Sequence, residues 1–207
     1  AQSLFDELSV RDIVSWSILI AGYTEEGHGQ EALNCFDRML SEGLSPNTVT
    51  LICVLKACGI RRDIEKGKQI HDEILNKGFL ENDFVLGTAL VDMYAKCGAL
   101  LKAREVFEQL EVRDVLAWNT LLDGYARLGQ TKVILNMVRQ MRTEGILPDL
   151  VTFLGLLVAC NHSGFLAEGE ILFDEMWVVY GLPPTLEHYA CMIDLFGRAG
   201  HFDKAVE

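Results

Sequence analysis

The chain has 207 residues, of which 50% are hydrophobic and 23% are charged, and its formal net charge is −12. This composition excludes a disordered chain and leaves enough apolar side chains for a sizeable buried core. The acidic balance excludes binding to nucleic acid through a generic basic patch, so contacts to bases would have to carry much of any such binding.

The first predicted element is a helical hairpin. Its first helix has one apolar face with the spacing i, i+3, i+4 and i+7, formed by Trp16, Leu19, Ile20 and Tyr23. Gly27 supplies the turn, and the second apolar face comprises Ala32, Phe36, Met39 and Leu40. Gly43 is placed as a C-cap glycine and Pro46 prevents continuation, so the hairpin ends there.

Later segments follow the same plan. Another hairpin runs from Ala89 to Leu110 around a turn at Gly98, and no window shows the strict alternation of a half-buried strand. A hairpin of about 35 residues cannot bury both of its faces alone, so successive hairpins must stack. We therefore predict an all-α fold.

The chain also repeats itself at an offset of 102 residues. This offset places Trp16 on Trp118, and one register continues through Val49-Thr50 over Val151-Thr152. Chance does not hold one register through separate stretches, so the hairpins form an array of related units.

Three unit lengths alternate along the chain, 35, 36 and 31 residues, and each type has its own opening. WNTLLDGY from Trp118, VTLICVLKAC from Val49 and ALVDMYAKCG from Ala89 resemble the P, L and S motifs of plant pentatricopeptide repeat (PPR) proteins of the PLS subfamily. The alternation excludes a tetratricopeptide array, which has a fixed period of about 34 residues. The resemblance implies a right-handed superhelical solenoid of helix-turn-helix repeats, with the first helix of each hairpin lining one groove.

We divide the chain into seven segments on this basis. They are the tail of an S motif (1–12), a P motif (13–47), an L motif (48–83), an S motif (84–114), a P motif (115–149), an L motif (150–185) and an incomplete S motif (186–207). The chain begins without an initiator Met or a basic leader, so we expect any targeting segment to lie outside it.

The resemblance implies that each motif binds one RNA base through its fifth and last residues, while its second residue stacks between bases. The three pairs that this scheme decodes are Ser17 with Asn47, Thr88 with Asp114, and Asn119 with Asp149, for adenine, guanine and uracil. The corresponding stacking residues are Val14, Val85 and Leu116. We expect both members of each pair to face the groove.

Other motifs depart from this pattern. The L motifs carry Ile52 and Leu154 at the fifth position and the last S motif carries Ala190, so we expect weak or no base recognition there. The implied preference is A-any-G-U. Short polar side chains at a helix start also serve as caps, and Asp before a helix complements its dipole, so a purely structural role stays open.

Basic residues at the thirteenth position are our candidates for phosphate contacts. They are Lys96, Arg127 and Arg198, whereas Glu25 occupies that position in the first P motif. Acidic residues fall mainly in the predicted second helices, which we expect to face away from the groove. Screening beyond about 8 Å at physiological salt then limits their repulsion of RNA.

We predict no catalytic site, metal site or cofactor. The chain has no P-loop, GxSxG or HExxH motif, and His71-Asp72-Glu73 matches the HxE of zinc deaminases without a following PCxxC. The cysteines form no CxxC pair, and their apolar neighbours predict buried, reduced thiols. They are Cys35, Cys53, Cys58, Cys97, Cys160 and Cys191.

The resemblance leads us to expect sequence-specific binding of single-stranded organellar RNA. The chain would be the recognition part of an RNA-processing or C-to-U RNA-editing factor of mitochondria or chloroplasts, with other editing factors as further partners. We expect no small-molecule substrate, and the longest apolar run, residues 150–160, is too short to cross a membrane. The alternative is a helical-repeat scaffold for a protein partner, since the net charge of −12 suits a basic one.

Overall fold

The computed structural model describes Phe5 and residues 11–203. Over this part of the chain every regular element is helical, which confirms the all-α prediction, and no helix there is long and apolar enough to cross a membrane. Most of the predicted S-motif tail (1–12) and the last four residues of the incomplete S motif lie outside the described residues. The chain forms two compact units, Ala1–Val112 and Arg113–Glu207.

The described part of the first unit contains three helical hairpins and a short connecting helix. Its helices are α1 (Ile13–Glu25), α2 (Gly29–Ser41), α3 (Thr48–Arg61), α4 (Ile64–Asn76), a 3-10 helix (Phe79–Asn82), α5 (Phe84–Lys96) and α6 (Leu100–Gln109). The first helices α1, α3 and α5 pack side by side in chain order. Each second helix also packs on the following first helix, α2 on α3 and α4 on α5.

The second unit repeats this arrangement. Its helices are α7 (Val115–Ala126), α8 (Thr131–Thr143), α9 (Leu150–Ser163), α10 (Leu166–Val178) and α11 (Leu186–Ala199). Here α9 lies between α7 and α11, while α8 packs on α9 and α10 packs on α11. A first helix with neighbours on either side must be apolar over much of its circumference, which explains the long apolar run in α9.

The cores are built from the residues of the predicted helix faces. In the first unit Trp16, Phe36 and Tyr94 are almost fully buried, and the ring of Phe5 meets Trp16 edge-on with 4.6 Å between centroids. Trp118 and Phe153 are buried in the same way in the second unit.

The hairpin ends follow local rules, with one exception. Gly43 has a φ of 78°, in the left-handed region that a C-cap glycine tolerates, as the sequence predicts. Arg62 ends α3 with a φ of 55° and is the one described non-glycine residue with positive φ. Gly164 occupies the equivalent position at the end of α9 with a φ of 68°. The first unit therefore carries backbone strain that the second avoids.

Candidate nucleic-acid interface

The last residue of each assigned motif stands at the start of the next first helix. The N-cap residues of α1, α3, α5, α7, α9 and α11 are Asp12, Asn47, Asp83, Asp114, Asp149 and Thr185. In α3, α7 and α9 the N-cap side chain accepts a hydrogen bond from the backbone N–H three residues on. The structural role left open by the sequence is therefore real at this position, while the motif division itself stays a prediction.

Exposed aliphatic side chains mark the second residue of the first helices. Five such residues have between 46% and 60% of their surface exposed, namely Val14, Val49, Val85, Leu116 and Val151. Val14, Val85 and Leu116 were predicted from the sequence, whereas Val49 and Val151, in the predicted L motifs, were not. Val49 and Val151 could have been predicted, because each is the second residue of its first helix, as Val14, Val85 and Leu116 are. An aliphatic side chain left in solvent at one recurring position is a surface suited to stacking against flat apolar faces.

The fifth residues are recessed rather than open. Ser17 is 6% exposed, Thr88 is 8% exposed and Asn119 is 8% exposed. Their partners at the motif ends differ, because Asn47 is exposed and Asp114 and Asp149 are half-buried. The expectation that both members of each pair face a groove is therefore not met at the fifth position, where most of each side chain is buried.

In the second unit the recessed residue contacts its predicted partner directly. The Nδ2 of Asn119 donates a hydrogen bond to Oδ1 of Asp149 over 2.9 Å. The hydroxyl of Thr152 lies 2.6 Å from Oδ1 of Asn119. The structure thus brings this pair together and adds a third member, Thr152, which is 1% exposed and which sequence reasoning missed.

The first unit joins its pair through a threonine instead. The hydroxyl oxygens of Ser17 and Thr50 are 2.6 Å apart, and the Thr50 hydroxyl donates to Oδ1 of Asn47 over 2.8 Å. Ser17 also lies 2.7 Å from the carbonyl oxygen of Ile13, its neighbour one turn earlier. Because Oδ1 of Asn47 is occupied by Thr50, the amide nitrogen is the part of this side chain that has no partner among the described residues.

Thr88 and Asp114 belong to different compact units, and each is held by its own helix. The Thr88 hydroxyl donates to the carbonyl oxygen of Phe84 over 3.0 Å. Asp114 accepts from the backbone N–H of Ala117 over 2.9 Å. Hydrogen bonds of this kind are the ordinary local behaviour of threonine in a helix and of aspartate at its start.

Each candidate for phosphate contact has an acidic neighbour one helical turn before it. Lys96 pairs with Asp92 at 2.7 Å, Arg127 with Asp123 at 2.9 Å, and Arg198 with Asp194 at 3.1 Å. Hydrogen bonds from Asn161 and from Arg198 lower the pKa of Asp194 below its ordinary value, so its carboxylate is charged at neutral pH. A phosphate would therefore have to compete with these carboxylates, which were visible in the sequence at the i, i+4 spacing but were not used.

Several acidic side chains lie on second helices. Glu31 in α2, Glu105 and Glu108 in α6, and Asp174 in α10 are exposed on second helices, whereas Glu175 is half-buried. Glu25, which replaces a basic residue at the thirteenth position, lies 3.5 Å from the ammonium group of Lys56 on α3. Among the described helices, the second helices carry more acidic residues than the first helices, although α8 carries none.

The residues considered for metal or redox chemistry pack in the core. His71 is 6% exposed and its Nδ1 lies 2.9 Å from the hydroxyl of Tyr94, while burial lowers the His71 pKa. Burial raises the pKa of the Cys58 thiol to about 12 and that of Cys160 to about 11, so both stay protonated. The described residues form no metal-binding cluster, and the six cysteines are free, three buried and three half-buried.

Stacked two-helix units with recurring caps and a recurring exposed aliphatic residue define a helical-repeat protein. Sequence models described as the PPR repeat family match residues 11–60 and 113–162, and a PPR repeat model matches 88–115 and 187–207. The chain belongs to the PPR repeat family.

Relatives and a solved structure agree with this assignment. The chain is 42% identical to the pentatricopeptide repeat-containing protein CRR2, chloroplastic, and 40% identical to the pentatricopeptide repeat-containing protein At2g03880, mitochondrial; both relatives are from Arabidopsis thaliana. Each match covers the whole chain and 32% of the relative, so the chain spans about a third of their length. The crystal structure of the pentatricopeptide repeat protein PPR10 in complex with an 18-nt psaJ RNA element matches 99% of this chain and 31% of its own, with a TM-score of 0.85 and 23% identity. At that identity the likeness establishes the fold.

Proposed function

We propose that this chain binds single-stranded RNA in a sequence-specific manner, one base per motif, as the recognition part of an organellar RNA-processing or C-to-U RNA-editing factor of the PLS subfamily. The observation that carries the proposal is the recurrence of an exposed aliphatic residue three positions before a recessed polar residue. This combination occurs at Val14 and Ser17, Val85 and Thr88, and Leu116 and Asn119. An apolar side chain that replaces base stacking beside a short polar group suits an unpaired base.

Because the fifth residue of each pair is mostly buried, only some polar atoms of the pair are available to a base. In the second P motif, Oδ2 of Asp149 and the second proton of the Asn119 amide have no hydrogen-bond partner among the described residues. In the first P motif the amide nitrogen of Asn47 likewise has no hydrogen-bond partner among the described residues. The last residues of the motifs, of which Asn47 is exposed and Asp114 and Asp149 are half-buried, therefore make the larger share of the polar contact with a base.

The expected strength of binding is modest. Base contacts are worth at most ~1–3 kcal/mol each, so three decodable motifs contribute roughly 3–9 kcal/mol before ordering costs. Phosphate contacts by Lys96, Arg127 and Arg198 add to this only as far as a phosphate displaces the neighbouring aspartates. We therefore expect the 207-residue chain to bind RNA with low affinity but still to have different affinities for RNAs that differ in one base.

Names of relatives support the organellar part of the proposal. CRR2 is named as chloroplastic and At2g03880 as mitochondrial, and both match this chain over its full length. The PPR10 crystal structure holds an 18-nt RNA element. The role in editing rests on the alternating motif lengths alone.

The test is a fluorescence-anisotropy titration with single-stranded RNAs containing A-N-G-U and with shuffled controls. We expect Asn119→Ser to move the preference at the fourth position from uracil toward guanine. Asn136→Ser is the matched control, because Asn136 is an exposed asparagine on α8, the second helix of the same hairpin. Equal indifference of the unaltered chain to every RNA, together with tight binding to a basic protein, would favour the scaffold alternative.

A further inference from the structure

Three residues around the start of α9 form a closed ring of hydrogen bonds. The backbone N–H of Asp149 donates to the hydroxyl oxygen of Thr152 over 3.1 Å. The Thr152 hydroxyl lies 2.6 Å from Oδ1 of Asn119, and Nδ2 of Asn119 donates to Oδ1 of Asp149 over 2.9 Å. The ring links α7 to the N-terminus of α9.

The ring has a defined direction because a hydroxyl carries one proton. Thr152 lies near two acceptors, Oδ1 of Asn119 at 2.6 Å and Oδ1 of Asp149 at 2.9 Å. The Asp149 atom already accepts from the Thr152 backbone N–H and from the Asn119 amide, so the proton goes to Asn119 over the shorter distance. The amide oxygen of Asn119 is thereby held toward Thr152 and its nitrogen toward Asp149.

With this orientation held, the pair has one donor and one acceptor left over. They are the second Nδ2 proton of Asn119 and Oδ2 of Asp149, neither of which has a partner among the described residues. We propose that Thr152 is a positioning residue that sets the donor–acceptor direction in which Asn119 and Asp149 meet a base. This inference rests on the proposed function.

A helix cap alone does not require the contact to Asn119. Capping of α9 needs only Oδ1 of Asp149 and the backbone N–H of Thr152, which are 2.9 Å apart. The hydroxyl of Thr152 reaches in addition to a residue 33 positions earlier, in the preceding hairpin. The same sequence separation and the same 2.6 Å distance recur between Thr50 and Ser17 in the first unit.

The L motif consequently serves the motif before it. The side chain of its own fifth residue, Leu154, has no hydrogen-bonding group, so the sequence predicts weak or no base recognition there. Its third residue, Thr152, is 1% exposed and completes the polar pair of the preceding P motif. A P motif followed by an L motif is then a single recognition unit of two hairpins.

The test compares two hydroxyl-free variants, Thr152→Val and Thr152→Ala, with Thr152→Ser, which keeps the hydroxyl. Four RNAs that differ only at the base facing the Asn119 motif are titrated by fluorescence anisotropy. We expect Val and Ala to reduce the ratio of affinities between the best and second-best base about fivefold, the effect of one lost hydrogen bond, and Ser to retain it. Thr143→Val removes an exposed hydroxyl from α8 as the matched control and should change nothing.

A second measurement follows the ring without RNA. In an ¹⁵N–¹H spectrum, the two Nδ2 protons of Asn119 should shift and lose protection from exchange in Thr152→Val and Thr152→Ala, but not in Thr152→Ser. Base selection that survives both hydroxyl-free variants, with the Asn119 signals unchanged, would overturn the role of Thr152 alone. An unaltered chain that selects no base would instead refute the proposed function, while the amide signals still report whether the ring orders Asn119.

Discussion

The pairing of each thirteenth-position cation with an aspartate makes the salt dependence of RNA binding a quantitative prediction. Arg127 and Asp123 are 2.9 Å apart on α7, and 65% and 57% of their side-chain surfaces are exposed. Binding to a single strand loses affinity with a logarithmic salt slope of about −0.7 for each phosphate neutralised. If Lys96, Arg127 and Arg198 each met one phosphate without competition, the slope would be about −2. We expect a shallower value, since the aspartates already neutralise these cations.

Asp123→Asn frees Arg127 and should steepen the slope by up to about 0.7, which is an extra two- to threefold loss of affinity between 50 and 200 mM salt. The measurement is a fluorescence-anisotropy titration of one single-stranded RNA across a KCl series. Asp174→Asn removes the same charge from an exposed position on α10, a second helix of the same unit, and should leave the slope unchanged. An equal change in both variants would show that net charge acts and not a local contact. No change in either would remove Arg127 from the interface.

Four further predictions concern stability and are measured by urea unfolding. A Cβ on Gly67 would overlap Sδ of the buried Met93, so Gly67→Ala should lower the free energy of unfolding by ~1–3 kcal/mol. Gly155→Ala meets nothing within 4 Å and should raise it by ~0.5–1 kcal/mol through helix propensity. Arg62→Gly should raise it by ~1 kcal/mol, because the φ of 55° strains a side-chain-bearing residue. Because burial lowers the His71 pKa from 6.5, the unfolded chain binds this proton first, and stability should fall as the pH drops below about 6.5.

A specific result would contradict the predictions for Gly67, Arg62 and His71. Gly67→Ala as stable as the unaltered chain would mean that Met93 moves aside without cost. A loss of stability in Arg62→Gly would mean that contacts of the arginine side chain outweigh its backbone strain. His71→Gln should flatten the pH dependence between pH 7 and 5.5, and an unchanged profile would assign it to other groups.

The features that the sequence predicted correctly, namely helix faces, caps and turns, depend on residues close together in the chain. The spacing of Trp16, Leu19 and Tyr23 predicts a helix face, and the structure has α1 there. The C-cap glycine at Gly43 ends α2 as predicted. Helix faces, caps and turns depend on partners within four residues, so their physics is contained in a short window. The ion pairs between aspartate and lysine or arginine at i, i+4 belong to the same class, since both partners lie within one helical turn.

Contacts between hairpins could be identified only from the tertiary structure. Position in the motif selected Ser17, Thr88 and Asn119, but only the folded structure shows that these side chains are mostly buried. Nothing within four residues of Asn119 reveals that Thr152, 33 positions later, supplies its hydroxyl at 2.6 Å. A hydrogen bond between helices depends on their separation and rotation to within a fraction of an ångström. Those quantities result from the packing of the whole core, so the pattern of the sequence determines the array of hairpins, and tertiary packing decides which polar atoms remain for a ligand.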